Sequence, residues 1–143
     1  MSWLGALHHM NKITRIKSIR DLKKLDFRQG YAIVEIDIED LHHFQVINGV
    51  RAESPRLQRV REAIRDEGYN NLDPIMARLT PSGKIYVEDG GHRLTAAYQV
   101  NREFLTNLFG NKVDVITFLL RDGHYFRKVA KKRRKKSRML IGS

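Results

Sequence analysis

The stretch that most constrains this chain is Glu88 to Ala97, EDGGHRLTAA. A short apolar run, Ile85-Tyr86-Val87, leads into it, and Leu94, Ala97 and Tyr98 follow at helical spacings. The order predicts a strand, a tight Gly-Gly turn and a helix. A helix that begins in such a turn points unpaired backbone N–H groups, and the positive end of its dipole, at whatever occupies the turn. His92 and Arg93 add side-chain donors in the first helical turn. The guest this arrangement favours is an anion, above all a phosphate. The competing reading is structural. Gly90 and Gly91 then serve only a turn that needs positive φ, and Arg93 pairs with Glu88 or Asp89. Asp89 and His92 are the candidate catalytic residues: Asp89 as a metal ligand, proton acceptor or helix cap, and His92 as an acid/base, a phosphate donor or a turn-fixing group.

Composition narrows the function classes. A length of 143 residues with 41% hydrophobic residues suits one domain with an ordinary core. No apolar run nears the roughly 20 residues that span a bilayer. The opening MSWLGALHHMNK lacks a basic leader and a long apolar centre, so it is not expected to act as a secretory signal. The absence of cysteine excludes disulfides, thiolate metal sites and a cysteine nucleophile, and it fits a cytoplasmic location. The net charge of +11 is concentrated at one end. Residues 127–138, RKVAKKRRKKSR, carry nine of the 27 Lys/Arg and none of the 16 acids, which leaves 18 basic residues against those 16 elsewhere. Charge-based arguments for nucleic acid therefore belong to the tail.

Taken in order, Ser18 with Asp21 forms a capping-box pair that predicts a helix over 18–25, and 10–17 reads as strand or helix. Val34, Ile36 and Ile38 alternate with Glu35 and Asp37, a strand with one wet face starting near Tyr31. Residues 39–53 show no clean period, and Asn48-Gly49 marks either a small hairpin or an active-site loop. Ser54, Pro55 and Gly68 bracket a helix with a buried stripe of Leu57, Val60, Ala63 and Ile64, and a solvated face carrying Arg56, Arg59, Arg61 and Arg65. Residues 74–79 and 85–87 pair as a hairpin across Thr80 to Lys84. The central helix is expected to end near Asn101, with a second short helix over 102–112 that stops at Gly110. Residues 113–120 are apolar on both faces and predict a buried strand.

From Tyr31 to Leu120, this order resembles the ParB/sulfiredoxin superfamily. The likeness rests on Pro74-Ile75 opening a strand after Glu67-Gly68-Tyr69, on the hairpin that follows, and on Asp89 to Ala97, which is similar to the family's Asp-Gly-x-His-Arg-x-x-Ala-Ala signature. The resemblance implies a single α+β domain, a small mixed sheet with packed helices, over 31–122. An N-terminal helical extension would occupy 1–30 and a basic tail 123–143. It further implies that Gly90, Gly91, His92 and Arg93, with Arg51 from an upstream loop, hold a nucleoside triphosphate, CTP or ATP, accompanied by Mg2+. Sulfiredoxins carry a cysteine where Gly91 stands, so their thiol chemistry is excluded. About 23 residues follow the last predicted strand, too few for the helix-turn-helix and dimerisation domains of chromosome-partition ParB proteins. Superfamily members that are phosphotransferases or nucleases supply the enzymatic alternative, with Asp89, His92 and a divalent metal.

The tail holds Arg127, Lys128, Lys131, Lys132, Arg133, Arg134, Lys135, Lys136 and Arg138. A single-sign block of this kind is expected to contact nucleic-acid backbone without reading bases. The resemblance favours DNA over RNA; the bland alternatives are a solubility tail or a nuclear-import signal. No membrane partner is expected. The pairs His8-His9 and His42-His43 are not read as metal sites, because neighbouring side chains on a strand face opposite ways.

Overall fold

The strand predicted to be apolar on both faces is the inner spine of the sheet. A computed structural model describes residues 12–27, 29–48, 54–107 and 111–123. Its strands are β1 (Thr14–Ile16), β2 (Tyr31–Asp37), β3 (Val46–Ile47), β4 (Ile75–Leu79), β5 (Ile85–Asp89) and β6 (Val115–Asp122). They form one mixed sheet in the order β1-β2-β6-β4-β5-β3. The last described strand, β6, is thus inserted between β2, antiparallel to it, and β4, parallel to it. Ile116, Phe118 and Leu120 enter the core from one face of β6, and Thr117 is buried on the other. Two asparagines lock the start of β6. Asn101 donates to the Val113 carbonyl at 2.6 Å and accepts from its amide at 2.7 Å, and Asn71 does the same for Val115 and Thr117 at 2.8 and 3.0 Å. The fold is α+β.

The helices are α1 (Ile19–Lys23), a 3-10 helix (Ile38–Phe44), α2 (Pro55–Glu67) and α3 (Gly91–Asn107). Each places its buried residues in a single cluster on one side of the sheet. α1 starts at Ser18, and the Asp21 carboxylate accepts from the amides of Lys17 and Ser18 at 2.9 and 3.1 Å. The hydrogen bond from the Lys17 amide, with that from Ser18, holds the Asp21 carboxyl below its ordinary range. The 10–17 stretch contains a strand: β1 runs parallel to β2, so the sheet begins ahead of residue 31.

Three expectations are corrected, and the stretch without a clean period gains a structure. The alternatives drawn at Asn48-Gly49, a small hairpin or an active-site loop, run into residues 49–53, which lie outside the described residues. Ile38, Leu41 and Phe44 recur every three residues, the period of a 3-10 helix, and all three are buried. Gln45, at φ +49°, ends that helix, and β3 then runs parallel to β5. Ala63 is exposed, so the buried stripe of α2 narrows to Leu57, Val60 and Ile64. Arg61 and Arg65 are not on a solvated face. Arg61 donates to Gln99 Oε1 at 2.8 Å, and Arg65 donates twice to Glu103 at 2.6 and 3.1 Å, which ties α2 to α3. Finally, α3 is one helix through Asn107, because no glycine or proline interrupts it and Asn101 turns its side chain to Val113 instead of capping. The expected stop at Gly110 lies outside the described residues. Among the described residues, no helix is long and apolar enough to cross a membrane.

Candidate anion-binding cleft

A cleft opens because β3 is short. β3 pairs only Val46 and Ile47 with Ile85 and Tyr86, while β5 continues to Asp89 with no described strand on that side. The resulting space, about 640 Å³, is walled by the end of β5 and floored by the start of α3. Arg56 and Val60 of α2, with Asn48 and Asp73, complete its rim.

The start of α3 faces this space without a cap from its own sequence. Gly90 adopts φ +100° and has no side chain to offer. The Leu94 amide donates to the Gly90 carbonyl at 3.1 Å, so the amides of Gly91, His92 and Arg93 precede the first intrahelical bond. Of the glycine pair, only Gly90 has positive φ; Gly91 is already helical. Asn48 braces the turn, donating to the Gly91 carbonyl at 3.2 Å and to Thr95 Oγ1 at 2.5 Å.

Arg93 takes a partner the sequence reading did not name. Its guanidinium lies 3.6 Å from the Asp73 carboxylate and donates to the carbonyls of Asp73 and Pro74. Glu88, one of the expected partners, also lines the cleft but turns its carboxylate to Arg78, 3.7 Å away, and Arg121, 3.9 Å away. The reason is direction. Arg93 in the first turn of α3 reaches back to the start of β4, whereas Glu88, on the same face of β5 as Tyr86, turns toward the arginines of β4 and β6. Beneath the Arg93–Asp73 pair lies Tyr69. Its hydroxyl is buried with no hydrogen-bond partner among the described residues, and burial pushes its pKa up to about 12.

That orphaned hydroxyl gives a direct test. A buried hydroxyl without a partner costs roughly 1–3 kcal/mol. Tyr69→Phe is therefore expected to raise stability by about 1 kcal/mol at neutral pH, measured by urea unfolding. The pH dependence has a definite sign. The folded-state pKa lies above the ordinary tyrosine value of 10.0, so the unfolded chain releases this proton first as pH rises. Wild type should keep its full stability below pH 10.0 and lose this contribution as pH climbs to about 12. Tyr69→Phe should show a smaller loss, the remainder coming from Tyr98, which burial also pushes up to about 12.

The cleft brings together Asp89, Gly90, Gly91, His92 and Arg93. Arg51 and the basic residues from Arg127 to Arg138 lie outside the described residues, as do His8 and His9. Sequence reasoning missed Arg56 and Asp73 at this site, while Asn48 falls in the stretch read as a small hairpin or an active-site loop. Arg56 was read only as part of an exposed basic face, although the second helical position after Pro55 already placed it at a helix mouth. His42 and His43 sit on the 3-10 helix, not on a strand, and their ring centroids are 3.8 Å apart. Among the described residues, no group of three or more His, Asp or Glu side chains converges as a metal site.

No protein-family model matches the sequence, and no curated protein matches it. Among solved structures, the chain is similar to C-terminally truncated chromosome-partitioning protein ParB from Caulobacter crescentus in complex with CTP-γ-S. The TM-score is 0.42 at 19% identity, over 64% of this chain and 44% of that one. The chain thus spans less than half the length of that ParB structure. The CTP-γ-S belongs to the ParB complex, and the geometry above stands on this chain's own residues.

Proposed function

We propose that the cleft binds the phosphates of a nucleoside triphosphate, and that residues 127–138 hold nucleic acid. The observation that carries the first part is the uncapped start of α3 opening into a roomy cleft that also holds Arg56, His92 and Arg93. Amide donors and two guanidiniums suit the terminal phosphates, and the remaining volume admits a base and sugar. Mg2+ would be held by Asp89 together with phosphate oxygens, in line with its preference for one or two carboxylates plus substrate phosphates. Asp89 and His92 line the same cleft, which favours one second reading, a phosphotransferase or nuclease. Titration of CTP and ATP with and without Mg2+ tests the binding reading, and absence of binding at millimolar nucleotide rejects it. Triphosphate turnover that Asp89→Ala abolishes would establish the second reading.

The support for the tail is its composition, nine cations with no acid. Each phosphate it neutralises should add about −0.7 to −0.9 to the slope of log affinity against log salt. Deleting residues 127–143 is expected to flatten that slope. Salt-sensitive binding that survives the deletion would shift attention to the arginines of α2.

A further inference from the structure

The face of the sheet turned away from the helices carries an ordered row of its own. In-register neighbours on adjacent strands share a face, about 4.8 Å apart. Following the registers gives Tyr31 opposite Arg121, Arg121 beside Arg78, Arg78 opposite Tyr86, and Tyr86 beside Ile47. A single line across five strands therefore reads Tyr-Arg-Arg-Tyr-Ile. The contacts agree with the registers. The Arg78 guanidinium lies 5.3 Å from the centre of the Tyr86 ring, and Glu88 touches both Arg78 and Arg121. Tyr86 is 41% exposed and Ile47 42%. Every described helix buries its apolar side in the cluster on the opposite face.

We propose that this row is a binding platform for single-stranded nucleic acid. Aromatic rings at intervals on a sheet surface accept stacked bases, and the arginines between them meet the backbone. Ile33 and Thr117 on this face are buried, so the exposed end of the row is Tyr86 with Ile47. A duplex hides its base faces, so the row selects unpaired strands. Within the row two guanidiniums share one carboxylate, a local surplus of positive charge that favours a polyanion, while Glu35 and Asp37 farther along the face are paired with Arg15. Glu88 sits 3.7 to 3.9 Å from the two guanidiniums, all partly exposed, an arrangement worth little in water. A phosphate backbone can therefore take its place. Arg121 lies two residues from Gly123, and the basic block begins four residues after that glycine, so the chain continues from this end of the sheet into further positive charge. The inference does not require a nucleotide in the cleft, although Tyr86 and Glu88 also line its β5 wall; Tyr31, Arg78, Arg121 and Ile47 are not among its lining residues.

The test is fluorescence anisotropy of a labelled oligothymidylate with the full chain. Tyr86→Ala and Tyr31→Ala are each expected to weaken binding about tenfold, from the energy of one base–aromatic stack. Tyr86→Phe, which keeps the ring, should bind as wild type does. An abasic oligomer of equal length should not distinguish wild type from Tyr86→Ala. Equal thymidylate affinity for wild type and both alanine variants would overturn the proposal, as would a duplex bound as tightly as the single strand. Deleting residues 127–143 changes the salt slope while the tyrosine variants leave it unchanged, so failure of the tail is distinguishable from failure of the row.

Discussion

Replacing Gly90 by alanine is expected to destabilise the protein by about 3 kcal/mol and to weaken anion binding with it. Two separate effects add. An L-residue at φ +100° carries a backbone penalty of about 1–2 kcal/mol. A methyl group there also lands 3.0 and 3.3 Å from the two γ-carbons of Ile75 and 3.2 Å from a terminal nitrogen of Arg93. Ile75 is fully buried and has nowhere to go, so overpacking contributes roughly another 1–3 kcal/mol. The Arg93 tip can move, but only by leaving the carbonyls of Asp73 and Pro74. Gly83 is the matched control. It adopts φ +85° on the β4–β5 hairpin, and an added Cβ meets nothing within 4 Å. Gly83→Ala should show the backbone term alone, about 1 kcal/mol. Urea unfolding of the two variants separates the contributions. Equal destabilisation would mean that Gly90 is required for its dihedral only and that the helix mouth is not tightly packed.

The sequence made some of this legible and hid the rest for identifiable reasons. Signals that act within a few residues were readable. Ser54, Pro55 and Gly68 bounded α2, because caps and breakers work through the local backbone. The turn between β5 and α3 was readable because only a strand-to-helix change explains two glycines between those periodicities. The two-faced apolarity of β6 announced an interior strand, although nothing local said that it would lie between β2 and β4. Contacts across long separations were not readable. Arg93 meets Asp73, twenty residues back, and the sequence offered Glu88 and Asp89 as nearer acids. Arg61 and Arg65 looked solvated until α3 supplied Gln99 and Glu103. One local signal was legible and overlooked: the three-residue spacing of Ile38, Leu41 and Phe44.

Arg93→Ala is expected to weaken triphosphate binding thirty- to a hundredfold, and Asp73→Asn to strengthen it two- to fivefold. The opposite signs follow from what holds Arg93 in the unliganded protein. The Asp73 side chain is 74% exposed and its carboxylate lies 3.6 Å from the guanidinium, so the ion pair is worth at most about 1 kcal/mol. A triphosphate brings several negative charges to an amide-rich helix end, and it outcompetes so weak a hold. A hydrogen bond from a guanidinium to a charged acceptor contributes about 1.5–3 kcal/mol, and Arg93→Ala removes it entirely. Asp73→Asn removes only the competitor and the repulsion it offers to an incoming phosphate, about 0.5–1 kcal/mol. The carbonyls of Asp73 and Pro74 still orient the guanidinium in that variant, so geometry is retained. Isothermal titration at constant salt reads both effects, and the double variant should resemble Arg93→Ala, since Asp73 then has no guanidinium to withhold. Weaker binding by Asp73→Asn would reverse the assignment. Asp73 would then belong among the groups that hold the ligand or its metal, and the Arg93 contact would be part of a site already organised to receive it.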